Sequence, residues 1–234
     1  MKSKIMRILS AAFAISLCII VFVACGNDDI DNDNNKDTTT TITTSTTKTI
    51  NGVTYRFNNN QKTYYVYSAN KTITNVVLEK SIDSYPVTEI EEEAFADCTS
   101  LIEITLSNNI TTIYKMAFIN CTSLKSIVIP DSVKQIYRMV FWNCTALKSL
   151  RIPNSIKTIS DHLTFDCKNL ETVYIPKSVI TIEASAFGFN YSRVVPNIHY
   201  EGTKNEWKNV IVKEGNSQYT YTDNFTFNSY PSLI

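Results

Sequence analysis

Glycine is scarce in this sequence, with five among 234 residues, and histidine is scarcer still, with two. The glycines are scattered, so there is no glycine-rich loop of the kind that holds nucleotide phosphates. His162 and His199 belong to no HExxH pattern and have no nucleophile signature beside them, and we interpret both as exposed surface residues. The sequence therefore predicts no catalytic site, no metal site and no cofactor.

Neither sign of charge is in excess, since 22 lysines and arginines balance 22 aspartates and glutamates. A neutral chain has no bulk attraction for a polyanion, which argues against nucleic acid as a partner. The densest acidic cluster, Glu89 with Glu91, Glu92 and Glu93, favours a solvated turn. The alternative is a glycan hydrolase that uses this cluster, and alanine at Glu91, Glu92 and Glu93 would test it.

The first 24 residues have the layout of a bacterial export signal. Lys2, Lys4 and Arg7 precede an apolar run that ends in VFVAC. VFVAC resembles a lipobox, in which the cysteine is lipidated and the peptide is cut before it. This resemblance implies a lipoprotein signal peptide over residues 1–24, with Cys25 as the lipid anchor in the bacterial outer membrane. A retained membrane helix is the alternative, because the run approaches the minimum spanning length.

Residues 25–47 are acidic, rich in threonine and almost without apolar side chains, a composition typical of a disordered tether. Asp29, Asp31 and Asp33 alternate as in a calcium loop, but the sixth-position glycine and the closing glutamate are missing. We therefore interpret the segment as a solvated linker. Acidic residues after a lipidated cysteine also resemble the surface-export signal of Bacteroidetes lipoproteins.

An N-terminal β cap is predicted over residues 48–80. The segments NGVTYRF and KTYYVYS alternate apolar and polar residues on either side of NNNQ, which is the pattern of a β-hairpin.

A 23-residue repeat occupies residues 81–200. Its columns are Cys98, Cys121, Cys144 and Cys167; Leu101, Leu124, Leu147 and Leu170; Ile104, Ile127, Leu150 and Val173; and Leu106, Ile129, Ile152 and Ile175. A unit of this length cannot bury its own apolar face, so the period predicts a solenoid of stacked coils. The last two apolar positions of LxxIxL share one face of a strand, and successive strands are expected to form a parallel sheet.

The cysteine column predicts an internal ladder of buried thiols, because a small and weakly polar side chain fits an inward turn. Disulfides between neighbouring coils are an alternative in an exported protein, but side chains that point the same way rarely reach the required dihedral. Zinc is a weaker alternative, since zinc ligands come in close pairs such as CxxC and these cysteines are 23 residues apart.

The pattern AFxxCxxLxxIxIPxxVxxI, clearest in VFWNCTALKSLRIPNSIKTI, resembles the BspA-type or Treponema pallidum-type leucine-rich repeat of bacterial surface proteins. The resemblance implies an α/β-type, mainly β solenoid. YEGTKNEWKNV resembles the closing motif of that family, so residues 201–234 are predicted as a C-terminal cap in which Trp207 covers the last coil. Thr164 in the phenylalanine column, with Phe165 beside it, and Arg193 in the leucine column depart from the pattern.

Rows of outward side chains are the candidate binding sites. The first row lies between the inward strand positions and consists of Thr105, Val128, Arg151 and Tyr174, with Lys125 and Lys148 nearby. The second row consists of Tyr114, Tyr137, Ser160 and Glu183, and we interpret it as plain surface. Repeat scaffolds bind through extended faces, and tyrosine and arginine are favoured at interfaces. The resemblance implies adhesion to a macromolecule, most simply a protein of host matrix, epithelium or bacterial surface. The alternative is a periplasm-facing scaffold that holds another lipoprotein or a polysaccharide-uptake component.

Overall fold

The structure, a computed structural model, describes residues 46–188, 196–216 and 225–228. Coils of 23 residues stack on one another, and each coil contributes one short strand to each of two sides of the stack. Within the described ranges the single helix is α1, Lys204–Trp207. The prediction of a mainly β solenoid with parallel strands is confirmed.

The first side carries the strands that contain the inward residues Ile104, Ile127, Leu150 and Val173, together with further strands at either end of the stack. These are β4 (Asn75–Val77), β7 (Glu103–Thr105), β9 (Ser126–Val128), β11 (Ser149–Arg151), β13 (Thr172–Ile175), β15 (Asn197–Tyr200) and β17 (Phe225–Phe227). They form two parallel sheets, β4-β7-β9 and β11-β13-β15-β17. We call the outer surface of these strands the strand face.

The second side begins with the N-terminal strands β1 (Thr47–Ile50), β2 (Val53–Asn58), β3 (Thr63–Ala69), β5 (Ser81–Ile82) and β6 (Tyr85–Ile90) and continues through β8 (Thr112–Ile113), β10 (Gln135–Ile136), β12 (Thr158–Ile159), β14 (Thr181–Ile182) and β16 (Ile211–Val212). The hairpin β2-β3 is antiparallel, and β3 then pairs in parallel with β6. The hairpin therefore extends the side made by the repeats. We call the outer surface of these strands the second face.

The third side contains the cysteines and is a column of turns, which we call the turn side: residues 93–98, 116–121, 139–144, 162–167 and 185–188. Backbone N–H groups here donate to the following coil, as from Phe118 to the carbonyl of Val140 at 3.0 Å and from Phe141 to that of Leu163 at 2.9 Å. The strands β9 and β11 do not pair, and neither do β10 and β12, although the structure describes all four. The turn side keeps its hydrogen bonds across the same step, so the stack remains continuous there.

The core is the set of repeat columns seen in the sequence. The four repeat leucines are fully buried, and the inward strand residues Ile104, Ile127, Leu150 and Val173 are at most 6% exposed. The rings of Phe95, Phe118 and Phe141 stack along the axis with centroids 5.0 and 5.6 Å apart. Thr164 interrupts this column, and the buried residue beside it is Leu163, in a column otherwise held by alanine or valine.

Left-handed backbone recurs on the turn side at two positions of each coil. One column is Glu93, Met116, Met139, His162 and Ser185, with φ from 51 to 60°; the other is Asp97, Asn120, Asn143 and Asp166, with φ from 57 to 62°. Left-handed residues other than glycine cost about 1–2 kcal/mol, and Asn and Asp tolerate the conformation best. The second column thus explains an Asx residue before each repeat cysteine, in a chain with little glycine.

These Asx side chains also bond from coil to coil. Asn120 Nδ2 donates to Asp97 Oδ1 at 2.8 Å, and Asn143 Nδ2 donates to Asn120 Oδ1 at 2.9 Å. Asp166 holds the next position, and its Oδ1 is buried without a hydrogen-bond partner. A carboxylate has no hydrogen to donate, so the ladder of amides ends at this coil.

We expect Asp166→Asn to raise the free energy of unfolding by about 1 kcal/mol, because the amide can donate where the carboxylate cannot. The pair of Asp166 with the exposed Lys168, at 3.8 Å, is lost, but such surface pairs contribute little. Urea unfolding measures the change. Asp97→Asn is the matched control, since Asp97 also has left-handed backbone but only accepts in the ladder. Equal effects of the two substitutions would contradict the explanation.

The C-terminal described residues pack aromatic side chains on the last coil. Helix α1 has a capping box, in which the Thr203 hydroxyl accepts from the Glu206 N–H and the Glu206 carboxylate accepts from the Thr203 N–H. Trp207 is 7% exposed, with its ring 5.0 Å from Tyr200 and 4.6 Å from Phe225. Trp207 is therefore a packing residue.

Candidate binding faces

A single row of outward side chains crosses the strand face. In strand register, Val77 lies opposite Thr105, Thr105 opposite Val128, Arg151 opposite Tyr174, Tyr174 opposite His199, and His199 opposite Thr226. We call this set the strand row: Val77, Thr105, Val128, Arg151, Tyr174, His199 and Thr226. Val77 is 70% exposed and Val128 72%, which is unusual for valine. The row brings together the four row residues predicted from the sequence.

Sequence reasoning missed three members of this row. Val77, His199 and Thr226 are separated from their neighbours in the row by 28, 25 and 27 residues, so a search at a fixed period of 23 passes over them. The alternation in NIHY, which repeats the in-and-out pattern of the preceding strand, was the signal that could have found His199.

Lys125 and Lys148 lie immediately before β9 and β11, where both side chains are exposed. Lys148 is 3.7 Å from Glu171 of the next coil, a distance at which a surface pair is weak. The middle of the strand face therefore combines cationic side chains with exposed valine. A shallow depression of about 300 Å³ adjoins it between β7 and β9, lined by Leu106, Asn108 and Pro130 among others.

The prediction that both histidines are exposed is wrong, because each is half-buried in a ring stack. His199 lies 4.9 Å from the ring of Tyr174 at 20°, with its Nδ1 2.5 Å from the Thr226 hydroxyl. His162 stacks on Trp142 at 5.9 Å and 15°. Coil stacking places the register partners Tyr174 and His199 face to face, whereas Trp142 and His162 stack from different positions of neighbouring coils.

The repeat cysteines are buried free thiols that bond to the previous coil. Cys121, Cys144 and Cys167 donate from Sγ to the carbonyls of Phe95, Phe118 and Phe141 at 3.2, 3.1 and 3.0 Å. Burial raises the pKa of Cys98 to about 11 and that of Cys167 to about 12, and burial above all raises the pKa of Cys144 well above its usual range. The thiols of Cys98, Cys144 and Cys167 therefore stay protonated at neutral pH, which makes them poor nucleophiles and poor metal ligands.

Two further properties concern only the described ranges. No group of three or more His, Cys, Asp or Glu side chains is placed there to hold a metal ion. No helix within the same ranges is long and apolar enough to cross a membrane. Cys25, the signal peptide and the tether up to residue 45 lie outside the described residues.

The family model for the BspA type leucine rich repeat region matches residues 63–193 in six copies, more than half of the chain. The chain belongs to the BspA-type leucine-rich repeat family. The strand row and the thiol ladder are thus features of a BspA-type solenoid.

Solved structures of other bacterial leucine-rich repeat proteins resemble this BspA-type chain. One from Bacteroides ovatus ATCC 8483 is 26% identical with a TM-score of 0.50, over 65% of this chain and 49% of that one. One from Bacteroides capillosus ATCC 29799 is 25% identical with a TM-score of 0.50, over 58% and 98%. A leucine rich cell surface protein from Faecalibacterium prausnitzii A2-165 shares the fold, at 21% identity and a TM-score of 0.56, over 80% and 56%. The match thus covers about half of the first and third of these proteins.

A comparison with curated proteins gave no match to the BspA-type chain.

Three tyrosines, Tyr67, Tyr114 and Tyr137, lie on the second face of this BspA-type solenoid. Tyr114 and Tyr137 lie in neighbouring coils, with ring centroids 5.2 Å apart and planes at 9°. Tyr67 on β3 is 40% exposed, and the guanidinium of Arg56 lies 3.2 Å over its ring. Of the second row predicted from the sequence, Glu183 is paired with Lys213 at 2.7 Å.

Proposed function

We propose that this BspA-type protein is a non-catalytic binding scaffold, held at the cell surface by a lipid on Cys25, that binds a partner protein through the strand row. The observation that carries the proposal is the alignment of outward side chains within each of the two parallel sheets of the strand face, from Val77 to Val128 in one and from Arg151 to Thr226 in the other. The partner class is a protein of host matrix, epithelium or a bacterial surface. This protein would act in adhesion.

The chemistry of the row supports binding to a protein. When a partner covers exposed valines such as Val128, the complex is stabilised by about 25 cal/mol for each Å² of apolar surface removed from water. Arg151 and Tyr174 are of the residue types that most often dominate interface energies. Because the row is built on strands fixed by the core below, its side chains are positioned before binding, which lowers the entropic cost of association.

Surface exposure is tested by protease treatment of intact cells. We expect cleavage in the tether and release of a fragment that reacts with an antibody to residues 95–190, and a periplasmic protein serves as the lysis control. Cys25→Ser should abolish lipid labelling. A repeat domain that stays bound and intact while known surface proteins are cut would favour the periplasm-facing scaffold instead.

The strand row is tested by replacing Val128, Arg151 and Tyr174 with alanine together. We expect at least a tenfold loss of affinity for epithelial or matrix-coated surfaces, because the substitutions remove the centre of the contact, with no change in urea unfolding midpoint beyond that of surface substitutions. Thr99→Ala and Lys168→Ala, at exposed positions directly after the turn-side segments, are the matched control. Unchanged binding by the triple variant would rule out the strand row as the binding site.

A further inference from the structure

Between β6 and β12 of the second face, four charged side chains without an ion-pair partner in the described ranges divide by sign. Glu89 and Glu91 lie on and just after β6, whereas Lys134 and Lys157 directly precede β10 and β12. Among the described residues none of these four has an ion-pair partner. Partial burial, and then the neighbouring Glu91 carboxylate, raise the pKa of Glu89, so a cation brought against this pair would relieve an existing repulsion. From β6 to β12 the face thus changes from acidic to basic, and Arg56 on β2 adds a cation beyond the acidic pair.

Exposed aromatic and aliphatic side chains lie between these charges and beyond them. The stacked Tyr114 and Tyr137 lie in the coils that separate the acidic strand from β12, and Tyr137 is 36% exposed. Outside the charges, Tyr67 on β3 is 40% exposed and Ile180, directly before β14, is 58% exposed. From β3 to β14 the arrangement therefore begins with Tyr67, whose ring lies under the Arg56 guanidinium, continues through acidic, aromatic and basic groups, and ends with the aliphatic Ile180.

If a second copy faces this surface with its coil order reversed, the acidic strand of each copy lies opposite the basic strand of the other. A two-fold axis parallel to the strands and midway between β8 and β10 would superpose β8 on β10 of a second copy, β6 on β12, and β3 on β14. We propose that the chain forms a two-fold dimer through the second face, in which Glu89 and Glu91 of each copy pair with Lys134 and Lys157 of the other around the tyrosine stack. The interface would use the same patch on both copies, as two-fold dimers require.

The charge pattern selects a second copy in this orientation. In the opposite arrangement, with the coil order running the same way in both copies, Glu89 and Glu91 would face the same residues of the partner, and like charges at close range are strongly unfavourable. In the reversed order, Lys157 comes next to the position opposite Glu89, within reach of its four-carbon side chain. Tyr137 then faces Tyr114, so the rings pack at the axis.

The interface is small. With strands about 4.8 Å apart, the strands from β2 to β16 span about 34 Å, and a width of about 15 Å gives about 1,000 Å² buried in total. That area is the lower limit for a specific interface, so we expect a reversible dimer whose stability falls with salt.

Two full chains with different C-terminal tags, expressed together and purified from detergent-solubilised cells, test the dimer. The wild-type pair should co-purify. Glu89→Lys with Glu91→Lys on both chains, or Lys134→Glu with Lys157→Glu on both, should reduce co-purification at least tenfold, because like charges then face each other. One chain of each kind should restore it. Lys125→Glu with Lys148→Glu on the strand face is the control and should have no effect.

Three results would overturn the proposal: wild-type chains that do not co-purify, charge-reversed chains that co-purify as well as wild type, or a mixed pair that fails to recover. The last result would indicate that the face binds a different protein. Resistance to limited proteolysis shows that each variant is folded, so a loss of pairing can be assigned to the surface.

Discussion

Phe118→Ala should lower the free energy of unfolding by about 3–5 kcal/mol, the range for removing a buried phenylalanine ring. The Phe118 ring is fully buried and stacks on Phe95 and Phe141 in the coils on either side. Because each coil contacts only its neighbours, a cavity at this position weakens two coil interfaces together.

Urea unfolding followed by circular dichroism measures this effect. Phe118→Leu keeps most of the volume and should cost much less, about 1–1.5 kcal/mol, and it provides a folded variant if the alanine variant does not fold. Ile119→Ala, at the next residue but half-buried, is the matched control. A loss below about 1 kcal/mol for Phe118→Ala would mean that the stacked rings are not the core of the repeat.

Stability should fall as the solution becomes alkaline, with a slope that approaches about 1.4 kcal/mol per pH unit for each of Cys98 and Cys167 once the pH exceeds 9. The unfolded chain loses its thiol protons near pH 9, whereas burial holds the pKa of Cys98 at about 11 and that of Cys167 at about 12. Between those values the folded state binds more protons than the unfolded state, so raising the pH favours unfolding. The stabilisation is complete below pH 9 and is lost as pH rises through the folded pKa values.

Urea unfolding in reducing buffer between pH 8 and pH 10 measures this slope. The upper limit matters because burial also raises the pKa of Tyr55 and of Tyr200, which adds to the slope at higher pH. Replacing Cys98 and Cys167 with alanine should flatten the slope even though it lowers stability at pH 8. A slope that is equal in the variant and the wild type would show that the thiols are not the titrating groups.

The repeat columns were sufficient to predict the core, because a fixed period of apolar residues has few folded solutions. The departures from that period were not predictable in detail. Thr164 is fully buried in the phenylalanine column, and its hydroxyl has no hydrogen-bond partner among the described residues, which the column alone does not show.

The candidate sites were predicted less completely than the core. The strand row is longer than the sequence indicated, since Val77 and His199 enter it through units of irregular length. The hydrogen bonds from the thiols to phenylalanine carbonyls, and the left-handed backbone at Met116 and Met139, depend on three-dimensional placement and not on residue type. Methionine carries no sequence signal for left-handed backbone.

The side-chain hydrogen bonds between repeat coils point one way along the chain. The thiols of Cys121, Cys144 and Cys167, the amides of Asn120 and Asn143, and the hydroxyls of Ser132, Ser155 and Ser178 all donate to the coil that precedes them in sequence. A chain that emerges from the ribosome or the secretion machinery with its N-terminus first therefore presents the acceptors of these side-chain bonds before the matching donors arrive, whereas backbone donors of the turn side, such as the Phe118 N–H, bond only when the following coil is added. Each new coil can add its side-chain donors to a coil that is already folded. The solenoid can therefore fold one coil at a time, in the direction of its synthesis.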